Sequence, residues 1–511
     1  EAASPEVVWP SWLDEYASFS TGSDAVAADL LSPLVASGHD APLSVSQALL
    51  ALLSEPTPSP RLDELLAMVS PISFERWVIE LLELVARDAF PDGLIWVIRT
   101  VERVATDVVV MKLGELTLAV PSRDDDALSA TIDLLESLAT EQALLWLSRL
   151  ETHLTEQVPR EAASSAIRRV AARRGVASDE LVERSVPTFG LNERAEMWLD
   201  FGPRKFRVRL VDLDLVIEDE SNARLDALPK PRKTDDAMLA WHATETYRTL
   251  ARGIKSLSLE LLRRLEGAMV RSTRWTANAW LESFGKHPLL NYFARTMIWA
   301  AVPPGEPPPS AVAAHDRRVS WATFRASAGS ELCSVGDDTF VLPDDASVQL
   351  AHPVLMSEEV RAAWRAQLDD YKLIQPIEQL MRDVHTIGAP VPIRQGLLDA
   401  DLYTRMGRYG WSYSYSNVRE LHTSVGQRAC YKIFSLWRCI GFVGHFDDQD
   451  SSSLTLKTWV YEPTVSATDL NWFAHSGRAH EKIVRAPLTE LPASLLSELY
   501  RELQRVFFSG D

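Results

Sequence analysis

The chain has 511 residues, 46% hydrophobic and 24% charged. That is the makeup of a protein able to bury a large core, at a length typical of roughly three domains. Its formal charge of −19 argues against a default nucleic-acid binder, because contact with phosphates needs a positive face. No apolar run reaches the ~18–20 residues that span a bilayer: Trp77-Val78-Ile79 stops at Glu80, and Val108-Val109-Val110-Met111 stops at Lys112.

Three cysteines, Cys333, Cys430 and Cys439, are too few for a disulfide framework and fit a reducing cytoplasm. The chain starts at Glu1 with neither Met nor a basic-then-apolar leader, which reads as the edge of a longer or processed protein. Charge is unevenly spread. Residues 1–175 hold 13 Lys and Arg against 27 Asp and Glu, whereas Phe201 to Trp275 hold 15 against 11.

Trp9, Pro10, Trp12 and Tyr16 form an aromatic lead-in. From Asp24 to about Gly175 the pattern is helical. Leu43 to Leu53 and Arg61 to Val69 are short apolar-faced segments, parted by Glu55-Pro56-Thr57-Pro58-Ser59-Pro60, where proline density ends a helix. Ser73 reads as an N-cap for a helix with Trp77, Leu81, Leu84 and Val85 on one stripe. Val108 to Val120 is β-branched yet lies among helices, and its type stays open. Asp124-Asp125-Asp126 sets negative charge at a helix start, followed by a face of Leu128, Ile132, Leu135 and Leu138. Ala143 to Leu154 and Arg160 to Arg174 complete a series expected to stack as a HEAT-like helical repeat over residues 1–175, although no clean repeat period is present and an irregular bundle competes.

A central module of residues 176–302 follows. Arg207-Val208-Arg209-Leu210 alternates as a strand, Asp212-Leu213-Asp214 reads as a turn, and Leu215-Val216-Ile217 returns. Ser221-Asn222-Ala223 is a further turn. A helix of about 50 Å is expected from Asp235 to Met269, with Trp241, Thr244, Tyr247, Ala251, Ile254, Leu257, Leu261, Leu265 and Met269 on one stripe. Gly285-Lys286-His287-Pro288 breaks a pair of helices, and Leu289 to Trp299 reads as a buried helix.

Residues 303–315, opening with Pro303-Pro304-Gly305-Glu306-Pro307-Pro308-Pro309, read as a linker. A C-terminal mixed module occupies 316–511. Short strands are expected at Val319 to Arg325, Thr339 to Leu342 and Ser347 to Ala351. Ser357 caps a helix with Glu358 and Glu359 in its first turn and Val360, Trp364, Leu368 and Tyr371 on its face. The chain then turns to β structure: Arg428 to Phe446 is an apolar run broken by Gly441 and Gly444, and Leu454 to Tyr461 alternates. A last helix begins near Pro492, with Leu495, Leu499, Leu503 and Val506 aligned. The fold class expected is α+β, with an N-terminal all-α stack, a mixed strand and helix domain, and a β-rich C-terminal part.

Several chemistries lack their signatures. A phosphate loop needs Gly-x-x-x-x-Gly-Lys-Ser/Thr, but Gly285-Lys286 is followed by His287-Pro288. There is no Gly-x-Ser-x-Gly elbow, and His480-Glu481 lacks the second histidine of a zinc-protease helix. A zinc site built from Cys430, Cys439, His445 and His422 would have an eight-residue gap where a close pair is usual, so the thiols read as buried structural groups and no metal site is expected. His475 and His480 with Asp448 form the weak candidate for an acid–base site, against the reading of a polar loop facing an acidic turn. Arg204, Lys205, Arg207, Arg209, Lys230, Arg232 and Lys233 form the weak candidate for an anion or nucleic-acid patch, against the reading of a solvated, charge-paired sheet face. No cofactor is expected.

The order of several short motifs carries a resemblance. These are Val186-Pro187 with Leu191, Gly202-Pro203-Arg204-Lys205-Phe206, Leu228-Pro229-Lys230-Pro231, and Arg274-Trp275 followed by Trp280. His287-Pro288-Leu289-Leu290 followed by Trp299, Leu342-Pro343-Asp344-Asp345-Ala346 and His352-Pro353 continue it. Trp364, Asp370-Tyr371, Gln375-Pro376 and Gly410-Trp411 complete it. Residues 177–511 resemble the C-terminal domain of unknown function of the bacterial molybdate metabolism regulator (MolR-like) proteins. The Trp-Gly-Arg triplet of the nucleic-acid-associated domain in some of those proteins is absent, so that role is not carried over. The resemblance supplies no catalytic residues. It implies a multi-component system that includes a MoxR-type AAA+ ATPase, a von Willebrand A-domain protein and a SWIM zinc-finger protein. The expected function is therefore a non-enzymatic, cytoplasmic scaffold or adaptor. Nucleic-acid or anion binding through the basic patch is one alternative, and an enzyme using the C-terminal His/Asp cluster is the other.

Overall fold

The computed structural model describes residues 7–19, 26–57, 59–91, 93–120, 125–154, 156–176, 181–182, 185–310, 321–327, 331–385, 412–415, 428–433, 439–446, 454–461, 483–486, 489 and 491–508. The fold is α+β. Its contacts gather the chain into two compact units, Glu1–Leu257 and Ser258–Asp511.

The first unit opens with helices α1 (Leu43–Ser54), α2 (Pro60–Met68), α3 (Pro71–Arg87), α4 (Trp96–Thr100), α5 (Asp107–Ala119), α6 (Asp125–Leu138), α7 (Glu141–His153) and α8 (Gln157–Arg174). Helices α3, α5 and α7 pack as one row, and α4, α6 and α8 as a second. This is the two-layered arrangement of a helical repeat, in which each pair buries its apolar face against the next. Local chemistry sets the boundaries. Pro60 and Pro71 stand in first turns, where the missing N–H costs nothing. The hydroxyls of Thr106 and Thr140 accept from the N–H groups of Val109 and Ala143, capping α5 and α7. Gly175 ends α8 in the left-handed conformation at φ 68°. Helix α5 approaches α7 through Gly114, where a Cβ would overlap the Trp146 ring.

The stretch left open, Val108 to Val120, lies in helix α5 up to Ala119. Its valines are buried on nearly all sides, so their density reports burial within a stack rather than a strand. One reading changes: Ser73 does not cap α3. Ser70 stands at the N-cap, and Ser73, inside the first turn, accepts from the Val35 N–H at 3.0 Å and donates to the Ser70 carbonyl at 2.9 Å.

An antiparallel meander follows, with β1 (Glu196–Asp200), β2 (Lys205–Val211), β3 (Asp214–Asp219) and β4 (Arg224–Leu225) adjacent in order. The turn between β2 and β3 places Asp212 and Leu213 at φ 50° and 68°, the mirror-image turn that matches strand twist. Helix α9, Ala237–Arg271, has 35 residues, about 52 Å at 1.5 Å per residue. The division between the two units falls within it. From Ile254 onward the expected residues Ile254, Leu257, Leu261, Leu265 and Met269 are buried, whereas the expected Ala251 is half-buried and Leu250 beside it is buried. Nearer its start the buried residues are Ala240 and Ala243, whereas Trp241, Thr244 and Tyr247 are half-buried. Trp241 has the Arg76 guanidinium 5.8 Å from its ring centre.

In the second unit, β5 (Trp275–Thr276), β6 (Trp299–Val302), β7 (Ala322–Ala326), β8 (Leu332–Cys333) and β9 (Ser347–Leu350) form an antiparallel sheet in the order β8-β7-β6-β9-β5. One face carries the aromatic cluster of Trp275, Trp280, Phe284, Trp299 and Phe324, with ring centres 4.7–6.1 Å apart. The other face is covered in part by helix α10 (Glu358–Asp370), whose Trp364 and Leu368 pack with Ile298, Ala300 and Ala351. Ser357 caps this helix, as expected, by accepting from the Val360 N–H at 3.3 Å. A second antiparallel sheet joins Ser412–Tyr415, Arg428–Ile433, Cys439–Phe446, Leu454–Tyr461 and Ile483–Ala486 in chain order, and helix α11 (Ala493–Phe508) follows.

Trp299 stands on a strand, not at the end of a buried helix. The helix of Leu290–Thr296 stops before Met297, whose backbone is extended. Trp299, Ala300, Ala301 and Val302 are all buried, and a strand buried on both faces has no periodicity to distinguish it from a helix. Thr339 to Leu342 contributes an isolated bridge, Cys333 to Thr339, instead of a strand. The strand expected from Val319 runs over Ala322–Ala326, and residues 319 and 320 lie outside the described residues.

Candidate binding sites

The meander of the first unit brings part of the basic set together. Register pairs Trp198 with Arg207 and Arg207 with Glu218, and pairs Glu196 with Arg209. Arg207 and Arg209 therefore share a face, as alternation requires. Both guanidiniums reach Glu218, Arg207 at 2.6 Å and Arg209 at 2.5 Å, and Arg207 stacks over Trp198 at 5.9 Å. Arg209 and Arg207 hold the Glu218 carboxyl below its usual range. Lys205 pairs with Asp200 at 3.1 Å.

Arg204 has a structural role. Its guanidinium forks onto the Asp235 carboxylate at 3.0 and 2.5 Å and lies 5.6 and 5.3 Å from the centres of the Phe201 and Phe206 rings. The Asp235 side chain is fully buried and also accepts from the Arg232 N–H at 2.7 Å. Arg204 lowers the pKa of Asp235. The Gly-Pro-Arg-Lys-Phe stretch is thus a latch between the meander and the start of α9. Gly202, at φ 85°, permits the close approach of Asp236. Lys230, Arg232 and Lys233 project from an exposed loop.

His475, His480 and Asp448 lie outside the described residues, as does His422. The backbones of Cys430 and Cys439 occupy neighbouring strands, but Cys430 opposes Gly444. Cys439 is five residues further along that strand, about 17 Å at the strand rise of ~3.4 Å per residue. Among the described residues no group of three or more His, Cys, Asp and Glu could hold a metal ion, and no helix is long and apolar enough to cross a membrane.

The second unit contains two arrangements that local sequence patterns did not expose. The first is a buried charge network on α11. The Glu498 carboxylate receives His352 Nε2 at 3.2 Å, Arg382 Nε lies 3.0 Å away, and Arg501 donates at 3.3 Å. Arg382 also binds Glu266, and Arg501 binds Glu378. His352 Nδ1 accepts from the Val354 N–H at 3.2 Å, which leaves the proton on Nε2 and makes a neutral imidazole the donor to Glu498. Burial holds the His352 pKa down. Burial alone would raise Glu498, but His352, Arg382 and Arg501 together outweigh it and keep the carboxylate ionised. The network binds α11 to the rest of its unit.

The second arrangement is a pocket of about 460 Å³ on the α10 face of the five-stranded sheet. It lies within the usual range for small-molecule sites. Small residues there, Ala300 and Ala351, leave space that larger residues would fill. Met356 and Val360 contribute apolar wall, and Trp321, Thr323 and Gln349 contribute polar groups. Arg274 stands beside it. Its Nε donates to Gln349 Oε1 at 3.2 Å, another of its nitrogens donates to the Glu306 carbonyl, and its guanidinium lies 5.7 Å from the Trp321 ring centre. Burial lowers the Arg274 pKa.

Comparison with known proteins places these residues. A family model described as a domain of unknown function, DUF4132, matches residues 223–389, which include α9, the five-stranded sheet and the pocket. The chain is also similar to the uncharacterized protein YehI of Escherichia coli (strain K12), at 31% identity over 252 residues. That alignment covers 49% of this chain and 20% of YehI, so the chain spans about a fifth of the length of this relative. No solved structure matches.

Proposed function

We infer that the chain is a non-enzymatic scaffold or adaptor that docks protein partners through its N-terminal helical stack. The observation that carries this reading is the pair of helix rows from α3 to α8 in a segment where 27 acidic residues stand against 13 basic ones. Stacked helix pairs present an extended surface to partners, and a one-sided charge steers a partner of opposite sign. The resemblance to MolR-like proteins supplies the partner class, a MoxR-type AAA+ ATPase, acting in a cytoplasmic assembly with a von Willebrand A-domain protein.

Binding of the purified chain to the MoxR-type ATPase of the same organism, measured by biolayer interferometry with ATP and with ADP, tests this. The expected result is a complex whose association rate falls as salt rises. Failure to bind in either nucleotide state would remove the reading. Nucleic-acid binding is the lesser alternative. Four cations of the basic set already have carboxylate partners, which leaves the exposed loop of Lys230, Arg232 and Lys233 as its basis.

A further inference from the structure

We propose that the outer edge of β1 takes up an extended segment of a partner protein as an added antiparallel strand, with an apolar residue opposite Trp198 and an arginine or lysine opposite Asp200. β1 is the end strand of the meander and has a neighbour, β2, on one side only. The ladder fixes which of its backbone groups face outward. The Ala195 carbonyl accepts from the Leu210 N–H and the Phe201 N–H donates to the Arg204 carbonyl, each at 2.8 Å, so the odd-numbered residues bond to β2. The even-numbered residues point the other way. Glu196 is closed off on that side: its N–H donates to Asn192 Oδ1 at 3.1 Å, and its carbonyl accepts from the Asn192 N–H at 3.0 Å. Among the described residues nothing bonds the N–H and C=O groups of Trp198 and Asp200 there, which leaves a row of donors and acceptors for an added strand.

Edge strands are commonly guarded by a lysine, a proline or a bulge. β1, with the sequence Glu-Met-Trp-Leu-Asp, has none of these and pairs with β2 without interruption. It presents an aromatic side chain instead. Trp198 is 53% exposed, with the Arg207 guanidinium 5.9 Å from its ring centre. An exposed indole beside open backbone groups offers one ligand both apolar contact and hydrogen bonds. Charge selects the neighbouring position. Glu196 and Asp200 flank Trp198 on the same face of the sheet. Lys205 lies 3.1 Å from Asp200, whose side chain is still 42% exposed, and Arg207 lies 4.0 Å from Glu196 but 2.6 Å from Glu218. The edge therefore has carboxylates to spare for a cation, and a like charge directly opposite would be destabilising. The occupant is for that reason not a second copy of β1. Antiparallel pairing across Trp198 would set Asp200 of one copy against Glu196 of the other, whose backbone Asn192 already occupies. The proposal does not depend on the helical stack docking an ATPase.

The test uses the full chain and the end-capped peptide Ser-Arg-Thr-Ile-Thr-Arg-Ser, followed by calorimetry and by hydrogen exchange at β1. Binding should slow exchange of the Trp198 and Asp200 amides. Methylating the isoleucine nitrogen removes the donor to the Trp198 carbonyl and should weaken binding about fivefold or more. Methylating the nitrogen of the threonine that follows, which faces away from β1, should have little effect. Replacing both arginines by glutamate should weaken binding about fivefold. Trp198→Thr keeps a strand-forming residue and should weaken binding of the arginine peptide. Asp200→Asn keeps the acceptor for the Gly202 N–H, removes the charge and should do the same, which keeps the test valid if Trp198→Thr fails to fold. No binding at ~1 mM peptide would overturn the proposal. So would equal losses from the two methylations, equal binding of the arginine and glutamate peptides, or wild-type affinity in either folded variant. A dimer of the free chain that Trp198→Thr dissolves would assign the edge to a second copy and overturn it as well.

Discussion

Each unit of the molecule sets one histidine against one carboxylate at nearly the same distance. In the first unit His242 Nδ1 lies 3.3 Å from Glu75 Oε1, and in the second His352 Nε2 lies 3.2 Å from Glu498 Oε1. Their titrations move in opposite directions. The hydrogen bond to Glu75 raises the His242 pKa, whereas burial lowers that of His352. The His242 side chain is 37% exposed and its carboxylate is 4% exposed, so protonation costs little hydration and neutralises a buried charge. His352 has no exposure at all, and Arg382 and Arg501 already neutralise its carboxylate. A third positive charge there would meet those two. Identical residues at matching distances therefore favour the charged imidazole in one unit and the neutral one in the other, and the neighbours decide which.

The comparison breaks most sharply at the carboxylates. Glu498→Ala would leave Arg382 and Arg501 buried without their shared anion. Removing one partner of a buried charge network costs about 3–5 kcal/mol. Urea unfolding of the full chain should show that loss in the transition reporting the aromatic cluster around Trp280 and Trp299. A cost below about 1 kcal/mol would mean that water reaches the network. Glu75→Gln has a smaller expected effect, about 1.5 kcal/mol, the lower end for a hydrogen bond to a charged group, because His242 is partly solvated. If the two substitutions cost the same, the contrast between a wet pair and a dry network would fail.

Where the fold is legible in the sequence, local chemistry is the reason. The Ser357 cap, the Asp212-Leu213 turn and the two-row helical stack all follow from signals within a few residues of one another. That Arg207 and Arg209 share a face follows from strand parity alone, and both side chains meet Glu218 on that face. The sequence misleads where burial overrides local preference. The valines of α5 and the run from Trp299 to Val302 are buried nearly throughout, so neither carries a period to separate helix from strand. Both arrangements in the second unit are hidden for another reason. Glu266, His352, Arg382 and Glu498 are spread over more than 200 residues, and nothing local links them. Gln349 is a neutral residue in a short strand, and Arg274 reads as part of a packing motif with Trp275. Their hydrogen bond spans 75 residues of chain, and only tertiary geometry discloses it.

The smallest expected effect, the pH dependence, tests the signs directly. The folded-state pKa of His242 lies above its unfolded value of about 6.5, so its stabilisation is complete below that pH and is lost as pH rises through the folded value. For His352 the order is reversed. The unfolded chain gains a proton near pH 6.5 that the folded chain refuses, so stability falls as pH drops below that point. His385, also held down by burial, adds to the same acid-side loss. Glu498 titrates below this range and does not blur it. Stability measured from about pH 5.5 to 8.5 should decline on both sides, and each titrating histidine can contribute a slope of at most ~1.4 kcal/mol per pH unit. His242→Gln should flatten the alkaline side alone. His352→Gln should reduce the acid-side slope but leave the part due to His385. If both variants altered the same side, the neighbours would not set the sign, and the two pairs would have to be treated as one kind of contact.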